Sequence, residues 1–248
     1  MLDILLPALV AGLLVLLTHI PLGFQVLQRE IIFIDLAIAQ VAGLGAVMVA
    51  ASDIAHHIPM AQYSVAVSFA LVGAGAIAVF EKYARQHLEA LIGCLYVLSA
   101  TGAFLLLAND PHGADLLKQV LSGQILWVTF TDLYPHMALY AAALLCFVLR
   151  PHWLQGKAFY FMFALIITSS VQMVGVFLVF SCLIIPALAT TNLTRYRYLW
   201  AYLVGATAFV VGLAASVIWD LPSGASVVWA LACCAVIFVS VSKLVRAA

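Results

Sequence analysis

Two polar side chains in one apolar run could hold a cation inside a membrane. Asp35 is the only acid placed well inside a predicted span, where a carboxylate is costly unless it has a function or a partner. Snorkelling toward nearby Arg29 is the structural alternative. Gln40 offers a carbonyl oxygen to a cation, or an interhelical hydrogen bond. Five helical residues turn by about 500°, so the two side chains do not share one narrow face.

A second candidate metal site lies in a predicted outer loop. His56 and His57 follow Asp53 closely, and imidazole and carboxylate groups suit Zn²⁺ and similar ions. Adjacent side chains diverge, so the three residues are also compatible with a solvated loop that binds nothing. The loop therefore either captures a metal ion from outside or is simply exposed.

Motifs of membrane enzymes and of ATP-binding proteins do not occur in this chain. It contains no HExxH pattern, no GxSxG elbow and no GxxxxGK[ST] phosphate loop. The five cysteines lie in apolar runs without a CxxC pair, and we interpret them as small buried residues. The sequence therefore predicts a protein that is not an enzyme and that obtains any coupling to ATP from another chain.

The elements that must position these residues are membrane-spanning helices. Hydrophobic residues make up 67% of the 248 positions and charged residues only 8%, against about 25% charged in soluble domains. A helical span uses about 20 apolar residues, so about eight or nine spans with short loops account for the chain as one transmembrane domain, residues 1–248. Ten basic residues balance ten acidic ones without a basic run, which excludes a nucleic-acid partner.

Nine apolar runs predict the helices of an all-α polytopic membrane protein. Basic residues concentrate in alternate loops, and the opposite loops contain only Lys118. By the positive-inside rule, the N-terminus is outside and the C-terminus is cytoplasmic. Aspartates in the outer loops give that face a negative potential, which draws cations. The runs are 4–22, 31–51, 62–80, 90–108, 133–149, 158–171, 173–191, 198–218 and 225–242, and the outer aspartates are Asp3, Asp53, Asp110, Asp115, Asp132 and Asp220.

Two segments depart from this pattern. Residues 116–130 are too polar for a lipid-facing span and predict a short helix at the outer surface or dipping into the protein. Residues 158–191 lie between basic loops, so this segment must cross the membrane an even number of times. Two full spans need about 40 residues, and the segment is shorter than that. Broken helices follow, and we expect 169–175 to abut a pathway, with Gln172 and Ser181 as candidate lining residues.

Four stretches, in this order, carry a resemblance to a known family: residues 26–47, 89–97, 121–132 and 174–189. The last reads VGVFLVFSCLIIPALA and is similar to a family run VGxLLVxALLIxPAxxA. Gly123 matches the glycine of an LFGxIL element. The chain thus resembles the zinc/manganese/iron-type ABC transporter permeases, the membrane subunits of metal-uptake systems. The resemblance implies a vitamin-B12-importer-like permease fold, minus one N-terminal helix.

The first of these stretches departs from the family pattern RRxxxxGDALxHAxLPG, whose Asp and His are taken to contact the metal. Aligned on Arg29 and Gly45, the chain has Leu36 at the Asp position and Gln40 at the His position. Asp35 stands one position earlier and can substitute for the acid. Glutamine is a much poorer ligand for Zn²⁺ than histidine. The resemblance therefore implies a metal pathway with altered ligands.

The resemblance implies the permease of a bacterial ABC importer for a divalent metal, Zn²⁺ or Mn²⁺, in the inner membrane among its lipids. It also implies a homodimer around a central pathway, cytoplasmic ATPase subunits that bind the ATP, an external substrate-binding protein, and no permanently bound cofactor. Residues 190–198, after the broken helices, are the candidate for coupling to the ATPase through Asn192, Arg195 and Arg197. A plain basic loop is the alternative.

Two other functions stay open at this point. A permease for a metal chelate or a vitamin would keep the architecture without simple metal ligands, which the altered Asp/His pattern allows. An intramembrane enzyme would need converging polar residues in one cavity, and its activity would require no ATPase.

Overall fold

The computed structural model describes residues 2–50, 61–107, 125–150, 152 and 156–247, and within these ranges the chain is entirely helical. Short 3-10 turns at Arg85–His87 and Ile125–Trp127 precede two of the helices. In chain order the helices are α1 (Leu2–Arg29), α2 (Ile34–Ala50), α3 (Ala61–Tyr83), α4 (Leu88–Leu107), α5 (Phe130–Leu149), α6 (Ala158–Val174), α7 (Val176–Thr190), α8 (Arg197–Trp219) and α9 (Ser223–Ala247).

Most of these helices are long and apolar enough to cross a bilayer. Six pass by length and hydropathy: α1, α3, α4, α5, α8 and α9. The pair α6 and α7 adds a seventh when it is counted as one bent span. The apolar α2 is shorter, at 17 residues. An all-α polytopic membrane protein, as predicted, is confirmed, because a helix covers most or all of each predicted apolar run, although α1 continues seven residues beyond its run, to Arg29.

The predicted broken helix pair is confirmed at Gly175. The axes of α6 and α7 differ by 120° across this residue. Gly175 has φ 83° and ψ 161°, a conformation that only glycine adopts at low cost. α6 is continuous through Val174, so the break lies at the last residue of the predicted segment 169–175.

Close helix packing depends on small residues within this one chain. A Cβ atom on Gly23 of α1 would lie 2.0 Å from the carbonyl oxygen of Leu183 in α7. A Cβ on Gly212 of α8 would lie 2.5 Å from the Cα of Val227 in α9. The backbones therefore touch without an intervening side chain, as small residues permit in membrane helices. In the buried core α1 packs against both α7 and α8.

The outer helix predicted for residues 116–130 falls largely outside the described residues. The described part begins with the turn at Ile125–Trp127, whose Ile125 is buried. α5 then starts at Phe130 behind a capping box, in which Thr129 and Asp132 bond to each other's backbone N–H groups.

Candidate substrate pathway

Asp35 is a buried carboxylate. It lies in the first turn of α2 and has no solvent exposure. Neither of its oxygens has a hydrogen-bond partner among the residues that the structure describes. A buried ionisable group without partners is destabilising for the fold. The nearby guanidinium of Arg29 does not compensate it, so the alternative of snorkelling toward Arg29 is wrong.

Arg29 instead joins the ends of three helices. Its Nη1 donates to Oε1 of Glu81 at 3.5 Å and to Oη of Tyr160 at 3.3 Å. Its Nη2 donates to the carbonyl oxygen of Gly156 at 3.3 Å. The guanidinium also lies 4.5 Å from the ring centroid of Phe159, in a cation–π contact. We call these five residues the Arg29 cluster, and it ties the last turn of α1 to the end of α3 and the start of α6.

The surroundings of Asp35 contain few groups that could coordinate an ion. Cys182 of α7 is fully buried and close enough to interact electrostatically with Asp35. Oε1 of Glu89 in α4 accepts the backbone N–H of Phe33 at 3.1 Å, two residues before Asp35. In the described ranges, no group of three or more His, Cys, Asp or Glu side chains is arranged to hold a metal ion. Asp35 therefore offers a single carboxylate.

Gln40 lies deeper along the same helix. Only 8% of it is exposed, and α2 packs there against α3 and α4. Among the described residues no hydrogen bond joins Gln40 to Asp35, as their five-residue spacing predicts. The two oxygen donors therefore lie at different depths and on different faces of α2.

The two candidates near the broken helices differ in availability. Gln172 is exposed in the last turn of α6. Ser181 is buried on α7, and its hydroxyl donates to the carbonyl oxygen of Phe177 at 2.8 Å. No hydrogen bond in the described part of the chain links either residue to Asp35 or Gln40. Ser181 is thus already satisfied within its own helix.

The histidine loop with Asp53, His56 and His57 lies outside the described residues, so its predicted role stays a prediction. A buried histidine that sequence reasoning did not select is His19 of α1. Its Nδ1 is 2.9 Å from the carbonyl oxygen of Val15, and its Nε2 has no hydrogen-bond partner within the described ranges. A lone histidine inside an apolar run was the available signal.

The candidate coupling segment connects α7 to α8. Asn192 and Arg195 are exposed there, and the Arg195 guanidinium lies over the ring of its neighbour Tyr196 at 4.8 Å. The Arg197 guanidinium lies 4.8 Å from the ring centroid of Phe24 in α1. Arg197 therefore helps to fasten the connection to α1, whereas Arg195 presents its charge at the surface.

A second polar cluster joins α5 to α6, and sequence reasoning missed it. Nδ1 of His136 is 2.5 Å from Oγ of Ser169, and Oη of Tyr140 is 2.7 Å from Oγ of Ser170. Ser169 belongs to the segment expected to abut a pathway. The signal for this cluster was the four-residue spacing of Asp132, His136 and Tyr140 on one helix face.

Apolar helices long enough to span a bilayer, close packing through small residues and a sharply bent helix pair define a polytopic membrane protein. The family model for the ABC 3 transport family matches residues 1–159 and 153–242. The chain belongs to this family, which confirms the resemblance to the metal-uptake ABC permeases and identifies a transport subunit rather than an enzyme.

One solved structure shares the fold over nearly the whole chain. It is described as PsaBC from Streptococcus pneumoniae in complex with Fab, and it superposes with a TM-score of 0.74. The alignment covers 95% of this chain and 90% of that one, at 23% sequence identity. A search of curated proteins found no match.

Proposed function

We propose that this chain is the permease of a bacterial ABC importer for a divalent metal ion, Zn²⁺ or Mn²⁺, and that it works as a homodimer. Family membership supports the class of transporter. The proposal of a cation as the cargo rests on Asp35, because an uncompensated carboxylate in the core of a transporter would favour a passing cation. The substrate itself supplies the missing counter-charge while it passes.

The donor set bears on the choice of metal. Asp35 and Gln40 provide carboxylate and amide oxygens, which suit Mn²⁺ better than the softer donors that Zn²⁺ prefers. The outer aspartates attract the cation at the outer face, where an external binding protein would release it. A cytoplasmic ATPase closes on ATP and opens the permease to one side at a time, with the N-terminus outside and the C-terminus cytoplasmic.

The test is ATP-dependent metal uptake by the complete complex in proteoliposomes. We expect Asp35→Ala and Gln40→Ala to abolish uptake of Mn²⁺ and Zn²⁺ while the complex still assembles. Glu30→Gln and Gln62→Ala, which alter an exposed acid and an exposed glutamine, are the matched controls. Wild-type uptake rates in both Asp35 and Gln40 variants would exclude this pathway.

Coupling to the ATPase is proposed through residues 190–198, with Arg195 and Asn192 at the surface. Arg195→Glu should uncouple ATP hydrolysis from uptake or release the ATPase. Arg197→Glu is a less specific variant, because Arg197 also packs on Phe24. Arg85→Glu reverses an exposed charge elsewhere and serves as the control. Normal coupling in the Arg195 variant would reduce this segment to a basic loop.

A permease for a metal chelate is the second candidate. The observation that favours it is the single carboxylate at Asp35 without a three-ligand group in the described residues, because a chelated ion brings its own ligands. The two proposals separate when the binding protein is purified with its cargo. A bare metal found by elemental analysis supports the ion, and an organic ligand found by mass spectrometry supports the chelate.

A further inference from the structure

Three polar residues follow one another along the start of α5. Asp132, His136 and Tyr140 are spaced four residues apart, so their side chains lie on one face of the helix. In the predicted orientation this end of α5 is at the outer surface. The row runs from an exposed carboxylate through a half-buried imidazole to a buried phenol. It therefore leads from water into the protein.

The imidazole of His136 is held in a fixed orientation. Its Nδ1 is 2.5 Å from the hydroxyl of Ser169, which is fully buried on α6. One turn further along α5, the hydroxyls of Tyr140 and Ser170 are hydrogen-bonded at 2.7 Å, and Ser170 donates to the carbonyl oxygen of Ile166. Metal-binding histidines are oriented in this way, through a hydrogen bond from the nitrogen that does not bind the metal. Nε2 of His136 is the nitrogen that would bind.

Asp132 is held in a similar way and lies close to His136. Its Oδ2 accepts hydrogen bonds from the backbone nitrogen of Thr129 at 3.0 Å and from its hydroxyl at 2.6 Å. These bonds leave Oδ1 for another ligand. The carboxylate is close enough to interact electrostatically with His136. A helix cap accounts for Oδ2, but it does not require a histidine one turn later.

We propose that Asp132 and His136 form a capture site for a divalent transition metal, with Oδ1 and Nε2 as the protein ligands and water in the remaining positions. A carboxylate and an imidazole suit Zn²⁺ and Mn²⁺. Two protein ligands leave the coordination shell open, so the ion can be received and released. The site is separate from Asp35 and does not depend on the transport proposal.

The experiment measures the chemical reactivity of each histidine in the purified full-length chain in mild detergent. Diethyl pyrocarbonate modifies free imidazole nitrogens, and mass spectrometry of the peptides resolves each position. We expect Zn²⁺ to protect His136 in a saturable way. The exposed His87 is the internal control, and its modification should not change over the same range of Zn²⁺ concentration.

Two variants separate a metal site from a structural role. Asp132→Asn, which removes a ligand, and Ser169→Ala, which removes the orienting hydroxyl, should each raise the Zn²⁺ concentration for half protection of His136 by about tenfold or more. Tyr134→Phe, at an exposed position of α5, should leave it unchanged. Three results would overturn the proposal. His136 could be unmodified without metal, its modification could be the same with and without Zn²⁺, or its protection by Zn²⁺ could be unchanged in Asp132→Asn. Protection of His136 in a complex that fails to take up metal would reject the transport proposal alone.

Discussion

Arg29 and Asp35 lie close together in the sequence, but their surroundings differ: the charge of Arg29 is compensated by nearby groups and the carboxylate of Asp35 is not. Arg29 has a carboxylate, a phenol, a carbonyl oxygen and an aromatic ring around it. Asp35, at the start of the next helix, is fully buried, and in the described part of the chain neither of its oxygens has a hydrogen-bond partner. The guanidinium that links three helices is therefore surrounded by groups that compensate its charge. A buried carboxylate without compensation lowers the stability of the fold. We attribute its presence to the cation that we propose it binds.

The largest expected effect on stability comes from Arg29→Ala. The change leaves Glu81 without its ion pair and the Tyr160 hydroxyl without a donor, and it removes the cation–π contact with Phe159. The Arg29–Glu81 pair is partly exposed, so we expect a loss of about 2 kcal/mol in the free energy of unfolding, mostly from the lost hydrogen bonds and the cation–π contact. Unfolding by SDS titration in mixed micelles, followed by circular dichroism, measures it. Lys82→Ala, an exposed change on the same turn of α3, should cost far less, and equal losses would mean that the cluster is not a structural clamp.

Asp35→Asn should change stability in the opposite direction. The amide keeps the shape of the carboxylate but removes the charge that burial disfavours, so we expect a gain of about 1 kcal/mol in the same titration. Uptake by the complete complex should be lost at the same time. A variant that is both less stable and inactive would show that Asp35 has a structural partner and would remove the contrast with Arg29.

The smallest effect is expected from Glu89→Gln. The Gln amide oxygen can still accept the N–H of Phe33, and the loss is that of a negative charge close to the N-termini of α2 and of α4. A charge at a helix N-terminus contributes about 0.5 kcal/mol, so the unfolding free energy should fall by about that amount and uptake should persist. Glu89→Ala, which removes the acceptor as well, should cost more. If uptake were lost with Glu89→Gln, the acidic function would be shared between α2 and α4.

The positions of the helices could be predicted from the sequence because a bilayer imposes long apolar runs on every crossing segment. The break between α6 and α7 was predictable for a related reason, since loop charge required two crossings from too few residues. Its location at Gly175 was within the expected segment.

The candidate site was less predictable because its chemistry depends on contacts between distant segments. Asp35 was selected from its position alone, but its lack of a partner could not be read from the chain. Arg29, the expected partner, binds groups more than fifty residues away. The bond between His136 and Ser169 joins two helices in the same way. A regular spacing on α5 hinted at it, and only the fold showed which helix it faces.

The contact between Gly23 and Leu183 has a consequence for motion. Two helices whose backbones touch cannot slide along each other without first separating, because no flexible side chain lies between them to adjust. α1 and α7 therefore travel as one body whenever the protein changes shape. The bend at Gly175 forms one boundary of that body, and the segment after Thr190, where we place the ATPase contact, extends from its other end. A displacement of that segment by the ATPase would therefore move α1 as well, and α1 is the helix that precedes Asp35 in the chain.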